Sequence, residues 1–238
     1  MLAPEYIEWL LSGFGITVLL SLTSCVAASV IGALVCGLRI SQSKLLRTFA
    51  RTYIDIFRNT PLLVQLFFWY FGAASLLSSD LMIWLNTPRS LSLGFMTLYW
   101  PSFEFLAGFI GLTFYTSAFI SEELRSGIQA IPQGQHHAAA ALGFTPRQIF
   151  FLIILPQAIR VSLFPLLGQY MNALKNSSLT MAIGLAELSY ASRQVETVTF
   201  KTFQAFGIAT VLYVLAIAIL ELIGRHIYKR HILLRGAF

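Results

Sequence analysis

Five stretches of this chain are apolar for long enough to cross hydrocarbon, and that constrains the fold more than anything else in it. A helix rises 1.5 Å per residue, so about 20 apolar residues span a bilayer core ~30 Å thick. The stretches run from about Phe14 to Leu38, Thr52 to Leu77, Phe103 to Ser121, Pro146 to Met171 and Phe203 to Ile223. Composition agrees: of 238 residues, 57% are hydrophobic and only 11% charged, where soluble domains carry about a quarter. The expected fold is all-α, a polytopic membrane protein forming a single transmembrane domain over residues 1–238. A soluble enzyme is the first class excluded.

The net charge of +6, from 16 Lys and Arg against 10 Asp and Glu, raises nucleic acid as a partner, but the cations flank the apolar runs instead of forming a basic domain. Arg39, Lys44, Arg47 and Arg51 follow the first run, Arg125 and Arg147 lie between the third and fourth, and Arg225, Lys229, Arg230 and Arg235 follow the fifth. Only Arg89, Lys175, Arg193 and Lys201 fall on the other side. Cations collect on the cytoplasmic side of short loops, so the N-terminus is expected outside and the C-terminus inside. The opening MLAPEYIEWL lacks the basic segment of a signal peptide, so the first run is expected to remain as a span. Cys25 and Cys36 would stand about 16 Å apart on one helix and cannot pair.

Within the spans, Ser24, Ala28, Gly32 and Cys36 recur every four residues and leave one shallow face that another helix can approach closely. Pro61 is expected to kink the second span, and Thr113, Ser117 and Ser121 share a face of the third. Thr145-Pro146-Arg147-Gln148 has the pattern of a capping box that starts the fourth. That span contains Pro156 and Pro165, and at 100° per residue it gathers Gln157, Arg160, Phe164 and Gly168 on one face. A guanidinium at membrane depth costs from a few to more than ~10 kcal/mol, so this face is expected to avoid lipid. Arg160 marks either a transport pathway or a structural ion pair. Glu122 and Glu123 with Arg125 form either a helix-end ion pair or part of a contact to another chain.

Between the third and fourth spans, Pro132 precedes Gln133-Gly134-Gln135-His136-His137 and four consecutive alanines, and Gly143 suits a left-handed helix terminus. A short autonomous helix is expected over about 133–143. It is either a slim element that enters a partner's groove or a tight connector.

His137-Ala138-Ala139, Gly143, Ile153 and Leu155-Pro156 reproduce the spacing of the EAA loop, so the chain resembles the ABC importer permeases. Phe57-Arg58-Asn59-Thr60-Pro61-Leu62-Leu63-Val64-Gln65, Leu155-Pro156-Gln157-Ala158-Ile159-Arg160 and Leu174-Lys175-Asn176-Ser177-Ser178-Leu179 resemble the polar amino-acid uptake branch of that family. The match departs at His137, where the family has Glu, and at Phe164, where a Pro often precedes Pro165. The resemblance implies a type I importer in a bacterial cytoplasmic membrane, importing polar amino acids, with acidic ones such as glutamate or aspartate among the candidates. Two permease subunits, identical or related, would form the path, two cytoplasmic ATPase subunits would bind ATP and Mg, and an extracytoplasmic solute-binding protein would deliver the substrate. His137, Ala138, Ala139, Ala140, Ala141, Leu142 and Gly143 would dock on the ATPase. Gln65, Thr113, Ser117, Gln157 and Arg160 are the substrate-path candidates, and Arg58, Asn59, Lys175 and Asn176 the gate candidates.

The residues themselves agree with that division of labour. There is no G-x-x-x-x-G-K-[ST] loop and no Gly-Lys pair, so ATP is expected on another chain. No H-E-x-x-H or paired-Cys spacing occurs, so neither catalysis nor a metal is expected here. An ion-coupled secondary carrier would call for internal repeats and midplane ionisable residues. A membrane scaffold would explain the small-residue packing but would not require the EAA spacing or the polar face of the fourth span.

Overall fold

The structure, a computed structural model, describes residues 2–87, 90–92, 97–99 and 101–233. Helix α1 spans Pro4–Arg39, beginning ten residues before the expected Phe14 because Pro4 suits the first turn and Glu5 sits there as well. Helix α2 spans Lys44–Asn59 and α3 spans Leu62–Phe67, continuing as a π turn over Phe68–Gly72. Helix α4 covers Ser79–Asn86, and two three-residue strands, β1 at Ser90–Ser92 and β2 at Thr97–Tyr99, pair antiparallel with Ser90 opposite Tyr99. Helix α5 spans Phe103–Gln129, α6 Gln133–Ala141 and α7 the single turn Pro146–Gln148. A π turn over Ile149–Ile154 leads into α8, Leu155–Asn176. Helices α9, Leu188–Thr199, and α10, Thr202–Leu233, complete the subunit. Arg89 and Arg235, used above for orientation, lie outside the described residues.

Four of the described segments are long and apolar enough to cross a membrane: Pro4–Arg39, Phe103–Gln129, Pro146–Ile183 and Thr202–Tyr228. The expected second span is not one kinked helix. It breaks at Thr60, whose ψ of 132° is extended, because the ring of Pro61 excludes the helical conformation from the residue before it. The apolar piece after the break, Leu62–Leu76, is shorter than the other four. Gln65 bridges the break, its Nε2 donating to the carbonyls of Phe57 at 2.9 Å and Thr60 at 3.0 Å.

The shallow face of α1 is where the subunit closes. Ser24, Ala28, Gly32 and Cys36 are all buried, and a Cβ on Gly32 would lie 2.7 Å from Ile120 Cγ2 and 3.0 Å from the Ser117 carbonyl of α5. On α5, a Cβ on Gly127 would meet the hydroxyl and carbonyl atoms of α8 that lie against it, Ala158 O at 2.8 Å among them. Such approaches matter in a bilayer, where helices associate through close packing and hydrogen bonds without a hydrophobic drive between them. We expect Gly32→Leu to force α1 off α5 and to destabilise the purified subunit by about 1–3 kcal/mol, read as a lower thermal unfolding midpoint. Gly37→Leu, where nothing lies within 4 Å of the added Cβ, serves as the comparison. Equal midpoints would show that the helices do not meet at Gly32.

Candidate coupling and translocation site

Helix α6 sits between the ends of α5 and α8, and its termination is built into the sequence. Gly143 has φ +84°, a conformation costly for residues with a Cβ. With Gly143 in that state, its N–H donates to the Ala140 carbonyl at 3.0 Å and the Phe144 N–H to the Ala139 carbonyl at 3.2 Å, the bond pattern of a Schellman stop. Two residues on, the expected capping box forms: Thr145 N donates to Gln148 Oε1 at 2.8 Å and Gln148 N to Thr145 Oγ1 at 3.4 Å. A rigid turn therefore separates α6 from the membrane segment that follows.

One residue seats α6 on the subunit. Ala139 is buried among Ile131, Ile149, Ile154 and Ala158, whereas His137, Ala138, Ala140, Ala141 and Gly143 are exposed and Leu142 is 77% exposed. A helix of alanines with its outer side uncovered and an apolar Leu at its tip has the shape of an element made to be received by another surface.

The path candidates separate into two sets. Thr113 and Ser117 are buried inside the subunit. The Ser117 hydroxyl donates to the Phe114 carbonyl at 2.9 Å and shares a 2.6 Å bond with Tyr53 OH of α2. Gln65 is also buried, engaged at the Pro61 break. Gln157 and Arg160 lie on the far side of α8 from its α5-facing residues Ala158 and Ser162. Gln157 Nε2 donates only to its own helix, to Ile153 O at 2.7 Å. Arg160 makes no ion pair or hydrogen bond with any described residue. Phe164 and Gly168 share this face, none of the four residues is buried, and Phe164 leans edge-on against Tyr228 with ring centroids 4.6 Å apart.

Among the gate candidates, the Arg58 guanidinium lies over the ring of Phe119 at 5.0 Å, with Asn59 exposed beside it at the end of α2. Lys175 and Asn176 close α8. The acidic pair on α5 is engaged within the chain. Glu122 accepts from Arg125 Nη2 at 2.8 Å and Nε at 3.0 Å, with Arg39 of α1 at 3.9 Å. Glu123 Oε1 accepts from Gln169 Nε2 at 3.1 Å, which ties α8 to α5.

Sequence reasoning missed Glu187. This carboxylate is fully buried and caps α9: Oε1 accepts from Tyr190 N at 2.9 Å, and Oε2 from Ser189 N at 2.9 Å, Tyr213 OH at 2.9 Å and Thr17 Oγ1 at 3.3 Å. Thr17 Oγ1 in turn accepts from Leu188 N at 3.1 Å, so α1, α9 and α10 meet at one group. The signal in the sequence is an acidic residue just before a helix, but its partners lie 170 and 26 positions away. We expect Glu187→Ala to strand these donors in a buried site and to cost about 3 kcal/mol or more, against about 1–2 kcal/mol for Thr17→Val. Thermal melting of the purified subunit measures both, and an unchanged Glu187→Ala melt would remove the junction's structural role.

Residues 28–232 match the model of the family described as binding-protein-dependent transport system inner membrane component, and the chain belongs to that family. It is 31% identical over 218 residues to the glutamate/aspartate import permease protein GltJ of Escherichia coli, covering 92% of this chain and 85% of that one. It is 33% identical over 220 residues to the probable glutamine ABC transporter permease protein GlnM of Bacillus subtilis, covering 92% of both. A crystal structure of an amino acid ABC transporter with histidines superposes with a TM-score of 0.80 at 27% identity, over 97% of this chain and 100% of that one. The MetNI methionine ABC transporter, in an inward-facing form, shares the fold at a TM-score of 0.74 and 20% identity, over 97% of this chain and 99% of that one. The chain is thus a type I ABC importer permease, a multi-pass inner-membrane transport subunit.

Proposed function

We propose that this subunit carries amino acids, acidic ones in particular, across the inner membrane by alternating access driven by a separate ATPase. The observation that carries the reading is α6: a short helix with a rigid stop, seated through Ala139 and with His137, Ala138 and Ala140 to Gly143 exposed, between the ends of two membrane segments. On this reading His137 to Gly143 dock on one of two cytoplasmic ATPase subunits, where ATP and Mg bind, and the ATPase cycle biases a two-state equilibrium in the membrane by several kcal/mol. The N-terminus then lies outside and the C-terminus in the cytoplasm. An extracytoplasmic binding protein delivers the substrate.

The face of α8 bearing Gln157, Arg160 and Gly168 is assigned to the path wall, opposite the same or a related face of a second permease subunit. A guanidinium without an internal partner is poorly placed against lipid and well placed in a water-filled seam. It favours carboxylates, which supports the acidic preference together with the glutamate/aspartate relative. Gln65, Thr113 and Ser117 are assigned to the moving contact of α2 and α3 with α5, Arg58 and Asn59 to the inner gate, and Lys175 and Asn176 to the outer gate.

Two variants test these assignments in proteoliposomes holding the complete transporter and saturating loaded binding protein. Aspartate tolerates the left-handed region better than most residues, so Gly143→Asp chiefly places a charge at the docking surface. Uptake is expected to fall by about tenfold or more with the subunit still inserted, and normal uptake would sink the docking role. Arg160→Gln is expected to lower acidic amino-acid uptake about tenfold with assembly intact. Loss of assembly alone would mean that Arg160 is a structural tie.

A further inference from the structure

A lateral recess of about 530 Å³ lies between α1, α8 and α10. Phe14, Val18, Leu174 and Leu220 are among its walls, and its polar members are Ser21, Cys25, Ser29 and Tyr170. Their hydroxyls are already engaged. Ser21 Oγ donates to the Thr17 carbonyl at 2.7 Å, and Ser29 Oγ donates to the Cys25 carbonyl at 2.7 Å and shares a 2.9 Å bond with Tyr170 OH. Nothing in the recess calls for water, and an apolar cavity of this kind stays dry.

The recess opens onto exposed apolar side chains of segments long and apolar enough to cross a membrane. Its edges include Leu22 and Val26 of α1 and Ile219 and Ile223 of α10, all more than half exposed and all on segments long and apolar enough to cross a membrane. A second cavity of about 170 Å³ extends the recess along the seam between α8 and α10, sharing Tyr170, Leu220 and Ile223 with it. Helix α10 is the least enclosed of the four crossing segments, with 11% of its apolar window buried.

We propose that this recess binds one acyl chain of a membrane phospholipid, which intercalates between α1, α8 and α10. The volume is many times the roughly 10–15 Å³ that admits a single water, room for a stretch of acyl chain and not only for a small solute. The aliphatic lining supplies no charge for a headgroup, so recognition is of the tail, and the tail supplies α10 with the packing that the protein itself leaves out.

The test uses the complete transporter in nanodiscs of phosphatidylethanolamine and phosphatidylglycerol, with a phosphatidylethanolamine carrying a diazirine in its acyl tail as probe. After irradiation, peptide mass spectrometry is expected to find adducts on Leu22, Tyr170 and Leu220 together, in about tenfold excess over the exposed Leu34 and Leu215 outside the recess. Cys25→Trp fills the recess and is expected to lower labelling of Tyr170 by about tenfold while leaving Leu34 unchanged. Ala216→Phe, on the opposite wall, gives the same reading should the tryptophan variant fail to fold. Even labelling of Leu22 and Leu34 would show bulk lipid contact only. Crosslinks from Cys25 to a second copy of the chain would show that protein covers the recess, and either result overturns the proposal.

Discussion

Helix α5 organises the subunit because the places where its neighbours meet it lack side chains. Gly32 of α1 rests against Ile120 and the Ser117 backbone, Gly111 receives Leu66 of α3, and Gly127 receives Ser162 and Ala158 of α8. In water such contacts would be one contribution beside a larger burial term. In hydrocarbon, close approach and interhelical hydrogen bonds are most of what holds helices together. The bonds sit at the same places: Tyr53 to Ser117 from α2, and Ser162 Oγ to the Glu123 carbonyl at 3.2 Å from α8.

That arrangement decides what remains outside. Once α8 commits Ala158 and Ser162 to α5, helical geometry turns Gln157, Arg160, Phe164 and Gly168 away from it. The two arginine environments contrast. Arg125 has Glu122 and Gln129 within hydrogen-bond reach, at 2.8 Å and 2.7 Å, and is complete within this chain. Arg160, several turns into the fourth crossing segment, has no such group. Arg39, Glu122 and Arg125 meet where α1 and α5 end, whereas Arg160 meets no such group among the described residues where a second subunit and the substrate are proposed to meet.

Much of this was legible from local sequence rules. The small-residue face of α1, the capping box at Thr145, the short helix before Gly143 and the shared face of α8 all follow from periodicity or from backbone needs of single residues. What was not legible depended on distant pairing or on competition between local rules. The Pro61 break was expected as a kink; the extended Thr60 and a side chain eight residues from its Phe57 acceptor turned it into a junction. The early start of α1 was hidden by Glu5 and Glu8, which depress local hydropathy without opposing a helix. Thr113 and Ser117 read as path residues because their face is polar, yet in hydrocarbon a serine or threonine face serves equally well as a helix contact. Glu187 was invisible because its meaning lies in Thr17 and Tyr213. The short β1–β2 pairing likewise carried no periodic signal that a helical reading would register.

On the proposed docking of α6, its joint with α8 is where a displacement would enter the bundle. Ala139 packs against Ile149 and Ile154, the two ends of the π turn that precedes α8. Such a π turn is rare and occurs mostly inside α-helices, frequently at functional sites. Beyond it, Ser162 and Gln169 fasten α8 to Glu123 through its carbonyl and its carboxylate. On the proposed docking, a push on α6 would reach that turn first and then a helix tied to α5 at two points.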